Sequence, residues 1–149
     1  MTQATSSSDH STPRPARSGI SLAVVVYSAP WSHQASATAL RFCEASLAAG
    51  HTIQRLFFYY DGVHNTSTLA VPAQDELDLP AAWQALISKH NIDTVSCVSS
   101  ALKRGILNAG EAERYERTAV NLSAVADLSG LGQLIESTAI ADRVISFGA

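Results

Sequence analysis

The sequence predicts one α/β domain of three layers, in which helices cover both faces of a mostly parallel sheet of about five strands. Residues 20–27, 52–59 and 92–97 are rich in apolar and β-branched side chains, as buried strands are. Helical patterns separate these runs, and strands that alternate with helices are typical of parallel sheets. The chain has 149 residues, 46% hydrophobic and 15% charged, which is enough for one well-packed core.

The first two helices are predicted from their caps and apolar stripes. Ser32 can cap the first helix, in which Leu40, Cys43 and Leu47 share one face, and Gly50 ends it. A turn-rich loop follows the strand at 52–59 and passes through Asp61. The second helix begins after Asp78, tolerates a proline in its first turn and ends near residue 91; its apolar stripe consists of Leu79, Trp83, Leu86 and Ile87.

The remaining elements are shorter. We predict a brief helix over residues 98–103 that ends at Gly105, a charged and exposed helix over 111–117, and a further helix over 131–141. Residues 143–147 form the last strand of this prediction. The tract 121–128 is ambiguous and holds one more short strand or none.

Composition excludes several classes of protein. Residues 1–19 are rich in serine and threonine, contain no apolar run, and are predicted to form a disordered N-terminal tail ahead of a domain at 20–149. The formal net charge of −3 argues against a general nucleic-acid-binding surface. We find neither a secretory signal nor the roughly 20 apolar residues of a membrane helix. The expected location is the cytoplasm, and no membrane partner is expected.

Cys97 lies where a predicted strand gives way to a predicted helix. The unpaired N–H groups of a helix start favour a thiolate, which is the reactive form of cysteine. A buried cysteine that only packs is the competing interpretation, because free cysteine is among the most buried residue types. Cys43 lies in the middle of a helical stripe, where the packing interpretation is strongly favoured. If one cysteine is catalytic, we expect Cys97.

Other chemistry finds little support. The five histidines are scattered and form no metal-binding spacing, so no metal site is predicted. Nucleotide-binding glycine motifs and a GxSxG elbow are absent, so no cofactor is expected. His64 could act as a base near Cys97, but a surface position is the more common one for a loop histidine. Lys103 and Arg104 are interpreted as a solvated basic pair or as a docking spot for an acidic partner.

Four stretches in order resemble one known family. They are HQAS at 33–36, FFYYDGVHN at 57–65, the segment from Cys97 to Lys103, Arg104 and Gly105, and SGLGQL at 129–134. Together they resemble the DsrE/TusD family of sulfur-relay subunits, from about residue 20 to residue 147. The resemblance implies a sulfurtransferase in which Cys97 carries sulfane sulfur as a persulfide.

The resemblance also implies partners. TusD-like chains join TusB-like and TusC-like subunits in a heterohexamer with two copies of each chain. They pass sulfur from a TusA-like donor to a TusE-like acceptor, for 2-thiouridine at the wobble position of transfer RNA, without binding nucleic acid directly. DsrE-like chains use the same architecture in dissimilatory sulfur oxidation. A noncatalytic assembly subunit, and a ligand-binding module with Trp31, Tyr59 and Tyr60 as walls, are the remaining alternatives.

Overall fold

Five parallel strands form a single sheet in the computed structural model, which describes residues 18–148. The spatial order is β4-β3-β2-β1-β5, so the chain builds outward from β1 to β4 and then crosses back to the opposite edge. The strands are β1 (Ser21–Val26), β2 (Thr52–Phe58), β3 (Thr94–Cys97), β4 (Asp127–Ser129) and β5 (Arg143–Phe147). The predicted mostly parallel α/β sheet is confirmed.

Five α-helices and one 3₁₀ helix connect these strands within the described residues. The α-helices are α1 (Gln34–Ala48), α2 (Leu79–His90), α3 (Val98–Lys103), α4 (Ala109–Arg114) and α5 (Leu131–Ile140). The 3₁₀ helix, Tyr60–Thr66, directly follows β2. Residues 1–17 of the predicted tail lie outside the described residues.

Two local predictions need correction, and one alternative that the sequence left open is decided. The residue before α1 is His33 rather than Ser32, and it makes no side-chain capping bond. The segment after β2 winds into the 3₁₀ helix instead of an irregular loop, because the side chains of Asn65 and Thr66 donate hydrogen bonds to the carbonyl oxygens of Gly62 and Val63. The ambiguous tract ends in β4, which pairs with β3 through residues 127–129.

The two faces of the sheet are covered by different helices. Phe58 of β2 packs edge-on against Trp83 of α2, with ring centroids 5.3 Å apart. Arg55, three positions earlier on β2 and therefore on the opposite face, bonds to Ser137 of α5. Helix α1 packs against α2 and the central strands. The predicted three layers are therefore present.

Arg55 fastens α5 to the sheet. Its side chain is almost fully buried and forms ion pairs with Asp93 at 2.7 Å and with Glu136 at 2.8 Å. It also donates to the carbonyl oxygen of Gln133 at 2.8 Å. Because the planar guanidinium reaches both carboxylates and the helix backbone, one buried cation fixes the position of α5 on this face. Among the residues that the structure describes, no helix has the length and apolar character needed to cross a membrane.

Candidate functional site

Cys97 and three tyrosines meet at the carboxyl edge of the sheet. The register pairs Phe58 with Ser96, which places Tyr59 beside Cys97. Tyr59 donates its backbone N–H to Val26, so Tyr27 lies beside Tyr59 in turn. Ligands and reactive groups of open parallel sheets gather at this edge. The predicted placement of Cys97 at a strand-to-helix junction is confirmed, since β3 ends at Cys97 and α3 begins at the next residue.

The start of α3 supplies hydrogen-bond donors to the Cys97 sulfur. Cys97 is the N-cap residue, and its Sγ lies 3.4 Å from Oγ of Ser99. Burial raises the pKa of the Cys97 thiol, but hydrogen bonds from the side chains and backbone N–H groups of Ser99 and Ser100 lower it, and the net pKa is below the ordinary value. The local backbone therefore favours the thiolate.

Cys43 has the opposite environment. It is fully buried in α1 among core side chains. Burial, with the charge of Glu44 acting in the same direction, raises the pKa of its thiol to about 12. Cys43 therefore stays a thiol at neutral pH, and its reactivity is low.

The Cys97 residue is 0% exposed in this single chain. A cavity of about 280 Å³ reaches the two serines that bond to Cys97; its lining consists of Tyr59, Tyr60, Ser99, Ser100, Lys103 and Arg104. The Tyr59 and Tyr60 rings lie against each other, with centroids 4.2 Å apart. The side-chain hydrogen bond with Tyr60 raises the pKa of Tyr59, and burial and the charge of Cys97 also raise it. Cys97 is thus a buried member of the core cluster, and the serines that follow it line a neighbouring cavity.

Two contacts hold the 3₁₀ helix against α3. Asp61 pairs with Nε of Arg104 at 2.7 Å. The backbone N–H of Tyr60 donates to Oγ of Ser100 at 3.2 Å. The backbone of this segment is tightly constrained: Tyr60 has a φ of 46°, which is unusual for an aromatic residue. Gly62 packs so closely against β1 that an added Cβ would lie 1.9 Å from the carbonyl oxygen of Val26. We call the Asp61–Arg104 pair and the Tyr60–Ser100 bond the latch.

The structure changes the interpretation of several predicted residues. Arg104 is not simply solvated, because it pairs with Asp61 and also bonds to the carbonyl oxygen of Ser100 at 3.2 Å. The short helix lets the arginine fold back, as a longer helix would not. His64 lines a different cavity, of about 530 Å³, together with Trp31 and Asp61. Trp31 and the tyrosines Tyr59 and Tyr60 therefore do not form the walls of one cavity.

No role for Ser99, Ser100 or the latch was predicted from the sequence. One signal was available for the latch: Asp61 follows β2 and Arg104 follows the helix after β3, so opposite charges fall near the carboxyl ends of neighbouring strands. Within residues 18–148, no group of three or more histidine, cysteine, aspartate or glutamate side chains is arranged to hold a metal ion.

Weakening the latch should make Cys97 more reactive. An exposed ion pair stabilises by about 0.2–1 kcal/mol, so Asp61→Asn should raise the alkylation rate of Cys97 by iodoacetamide by up to about fivefold. The rate is read from the Cys97 peptide by mass spectrometry. Asp75→Asn, which removes an exposed carboxylate elsewhere, should leave the rate unchanged. Equal rates in wild type and Asp61→Asn would show that the latch does not control access.

Comparison with known proteins identifies the family. The sequence pattern of the DsrE/DsrF-like family matches residues 21–147, nearly all of the described chain. The chain belongs to the DsrE/DsrF-like family. The resemblance seen in the sequence is therefore confirmed. The crystal structure of the ychN protein from E. coli has the same fold, with a TM-score of 0.69 at 19% identity over 87% of this chain and 99% of that one.

Relatives within the DsrE/DsrF-like family are named as sulfurtransferases. A sulfurtransferase TusD homolog of Pseudomonas aeruginosa is 54% identical over 85% of this chain and 95% of its own length. A putative sulfurtransferase DsrE of Allochromatium vinosum is 42% identical over 85% of this chain and 97% of its own. Sulfurtransferase TusD of Salmonella dublin is also 42% identical, over 84% of this chain and 98% of its own length. The family similarity thus covers full-length relatives of both the TusD and the DsrE type.

Proposed function

We propose that this chain is a sulfurtransferase subunit that accepts sulfane sulfur as a persulfide on Cys97 and passes it to a downstream carrier. The observation that carries the proposal is the position of Cys97 at the N-cap of α3, with its Sγ 3.4 Å from Oγ of Ser99 and its thiol pKa lowered by hydrogen bonding to Ser99 and Ser100. The names of the relatives support the reaction class. No metal or organic cofactor is required.

The chemistry is thiol exchange in two steps. The Cys97 thiolate attacks the terminal sulfur of a donor persulfide, which forms a bond between Sγ and that sulfur and breaks the sulfur–sulfur bond of the donor. The donor thiolate leaves with the bonding electrons. The acceptor thiolate then attacks the terminal sulfur on Cys97, and the Cys97 thiolate is the leaving group. The donors of Ser99 and Ser100 stabilise Cys97 whenever its sulfur carries negative charge.

Access to Cys97 requires movement. Because the residue is fully covered in the isolated chain, the exchanging thiol must reach it after the 3₁₀ helix separates from α3. The Asp61–Arg104 ion pair of the latch is partly exposed and contributes little free energy, so the latch can open transiently in the free chain, and docking of a partner would favour the open state.

The TusD type of relay is the pathway that we propose, because the Pseudomonas aeruginosa TusD homolog is 54% identical. In this pathway the chain assembles in the cytoplasm with TusB-like and TusC-like subunits as a heterohexamer, two copies of each. A TusA-like protein is the donor and a TusE-like protein the acceptor. The product is 2-thiouridine at the wobble position of transfer RNA. The 42% identity to the Allochromatium vinosum protein keeps a DsrE-like role in sulfur oxidation as the second candidate.

Persulfide loading tests the reaction. The protein is incubated with a low-molecular-weight persulfide, and tryptic peptides are analysed by mass spectrometry under non-reducing conditions. We expect one added sulfur atom on the Cys97 peptide and none on the Cys43 peptide, because only Cys97 has a lowered thiol pKa. The absence of added sulfur on Cys97, or equal loading of both cysteines, would contradict the proposal.

Deletion of the gene tests the pathway. A TusD-like role predicts that transfer RNA from the deletion strain lacks wobble 2-thiouridine and that the wild-type gene restores it. A DsrE-like role predicts normal 2-thiouridine together with impaired oxidation of stored sulfur. Nucleoside analysis by liquid chromatography and mass spectrometry separates the two outcomes.

A further inference from the structure

An apolar cavity with a basic rim lies beside the Cys97 cavity. It measures about 530 Å³ and is formed by the end of α3, the turn that follows it, and the segment after α4. Its apolar walls include Leu102, Leu107, Tyr115 and Ala119. Lys103 and Arg117 line the same cavity. We call this feature the basic groove.

The two cations of the basic groove form no ion pair within residues 18–148. Nearby basic side chains differ, since Arg104 pairs with Asp61 and Arg114 lies 3.8 Å from Glu111. Glu116 separates Tyr115 from Arg117 in the sequence but does not line the cavity. The groove therefore presents local positive charge on a chain whose formal net charge is −3. Such a surface complements carboxylates.

The basic groove is continuous with the reactive site through one residue. Lys103 lines both the groove and the smaller cavity that borders Ser99 and Ser100. Oγ of Ser99 lies 3.4 Å from the Cys97 sulfur. A chain segment that lies in the groove would therefore end next to the latch that covers Cys97.

We propose that the basic groove is the docking site for an acidic segment of a sulfur-carrier protein, with apolar side chains in the groove and carboxylates on Lys103 and Arg117. The inference rests on the proposed function, because it assigns the groove to the protein that exchanges sulfur with Cys97. The exposed ring of Tyr115 at the groove supplies an aromatic contact of the kind that anchors protein interfaces. The positive charge of the groove favours a partner segment with negative charge, and the apolar wall supplies contact area.

Charge reversal tests the docking site. The double variant Lys103→Glu/Arg117→Glu is compared with Arg41→Glu/Lys89→Glu, which makes the same charge change on exposed residues of α1 and α2. Binding of purified TusA-like and TusE-like carriers is measured by fluorescence anisotropy at low and high salt. We expect the groove variant to weaken binding of at least one carrier by about tenfold or more at low salt, and the control variant to bind like wild type.

The contrary outcomes are distinct. Equal binding by both double variants, or equal weakening by both, would overturn the assignment of the groove, as would a change confined to self-association of the chain. Lys103→Ala/Arg117→Ala, which removes the charges without introducing repulsion, should weaken the same carrier to a smaller extent. A thermal melt confirms that each variant is folded.

The proposed function is tested separately in the same variants. Loading of Cys97 by a low-molecular-weight persulfide does not require the groove, so Arg117→Glu alone, which changes the groove but not the lining of the Cys97 cavity, should load at the wild-type rate. Normal loading with impaired carrier binding supports the docking site. If wild type itself is not loaded, the proposed function fails, whereas the binding comparison still decides whether carriers use the groove.

Discussion

The Cys97→Ser variant is expected to lose sulfur transfer by on the order of a thousandfold or more, because a serine hydroxyl cannot hold sulfane sulfur as a persulfide. Serine is close to cysteine in size, and the residue lies at the N-cap of a helix, where serine is favoured. The fold should therefore survive the substitution. Transfer is measured with a persulfide-loaded donor carrier and a thiol acceptor, by following labelled sulfur on the acceptor.

Cys43→Ser is the matched control. It places a hydroxyl in a fully buried position on α1, so some stability is lost, but the transfer rate of the folded protein should stay near that of wild type. Wild-type transfer by Cys97→Ser would instead support the noncatalytic assembly role. A loss in both variants at temperatures where both are folded would remove the distinction between the two cysteines.

The Trp83→Ala variant is expected to lower the free energy of unfolding by about 3–5 kcal/mol, the range for removing a large buried aromatic side chain. Trp83 is 1% exposed and contacts Phe58 across the interface between α2 and the sheet. Its indole N–H donates to Ser36 at 3.1 Å, and Ser36 donates to Asn65 at 2.7 Å. The truncation therefore leaves a cavity and a missing donor in one buried network. Urea denaturation followed by circular dichroism measures the change.

Trp31→Ala provides the comparison, since Trp31 is 37% exposed. It loses one bond, from its indole N–H to the carbonyl oxygen of Leu77, and less buried area than Trp83→Ala does. The expected cost is about 1 kcal/mol or less. Similar losses for the two tryptophan variants would contradict the role of Trp83 in the core. The Asn65 contacts suggest a further consequence: Asn65 also holds Gly62, so Trp83→Ala should loosen the 3₁₀ helix near Cys97.

Most of the fold was predictable because the spacing of the apolar residues and the positions of the capping and turn residues indicate the same helices and strands. The stripe containing Trp83, with Asp78 as its cap, predicts α2 nearly residue for residue, and Asp78 does accept from the N–H of Ala81. The three-residue strand β4 was not predictable, because it is defined by pairing with β3 rather than by its own composition. The 3₁₀ helix was missed for a similar reason. It is defined by side-chain hydrogen bonds, which Asn65 and Thr66 donate to the backbone of the helix and Asn65 also donates to Ser28.

The candidate site was predictable at one residue. The junction between strand and helix is visible in the sequence around Cys97, and the thiolate interpretation follows from it. The full burial of Cys97 and the ion pair between Asp61 and Arg104 depend on how two loops meet, which local patterns do not encode. The basic pair was therefore only partly understood: Arg104 belongs to the latch, whereas Lys103 lies between the two cavities.

The pH dependence of Cys97 alkylation tests the central claim most directly. A thiol reacts through its thiolate, so the rate rises with pH and levels off above the pKa. Peptide mass spectrometry follows Cys97 and Cys43 separately in the wild-type protein. The hydrogen bonds of Ser99 and Ser100 predict that the Cys97 rate levels off below the ordinary cysteine pKa, and that Ser100→Ala moves this point upward.

Cys43 should still be gaining reactivity at the highest pH at which the protein stays folded, in keeping with a pKa of about 12. A Cys97 rate that levels off below the ordinary range shows that the helix start holds the sulfur ionised. A Cys97 rate that keeps rising through that range, in parallel with Cys43, would contradict the account.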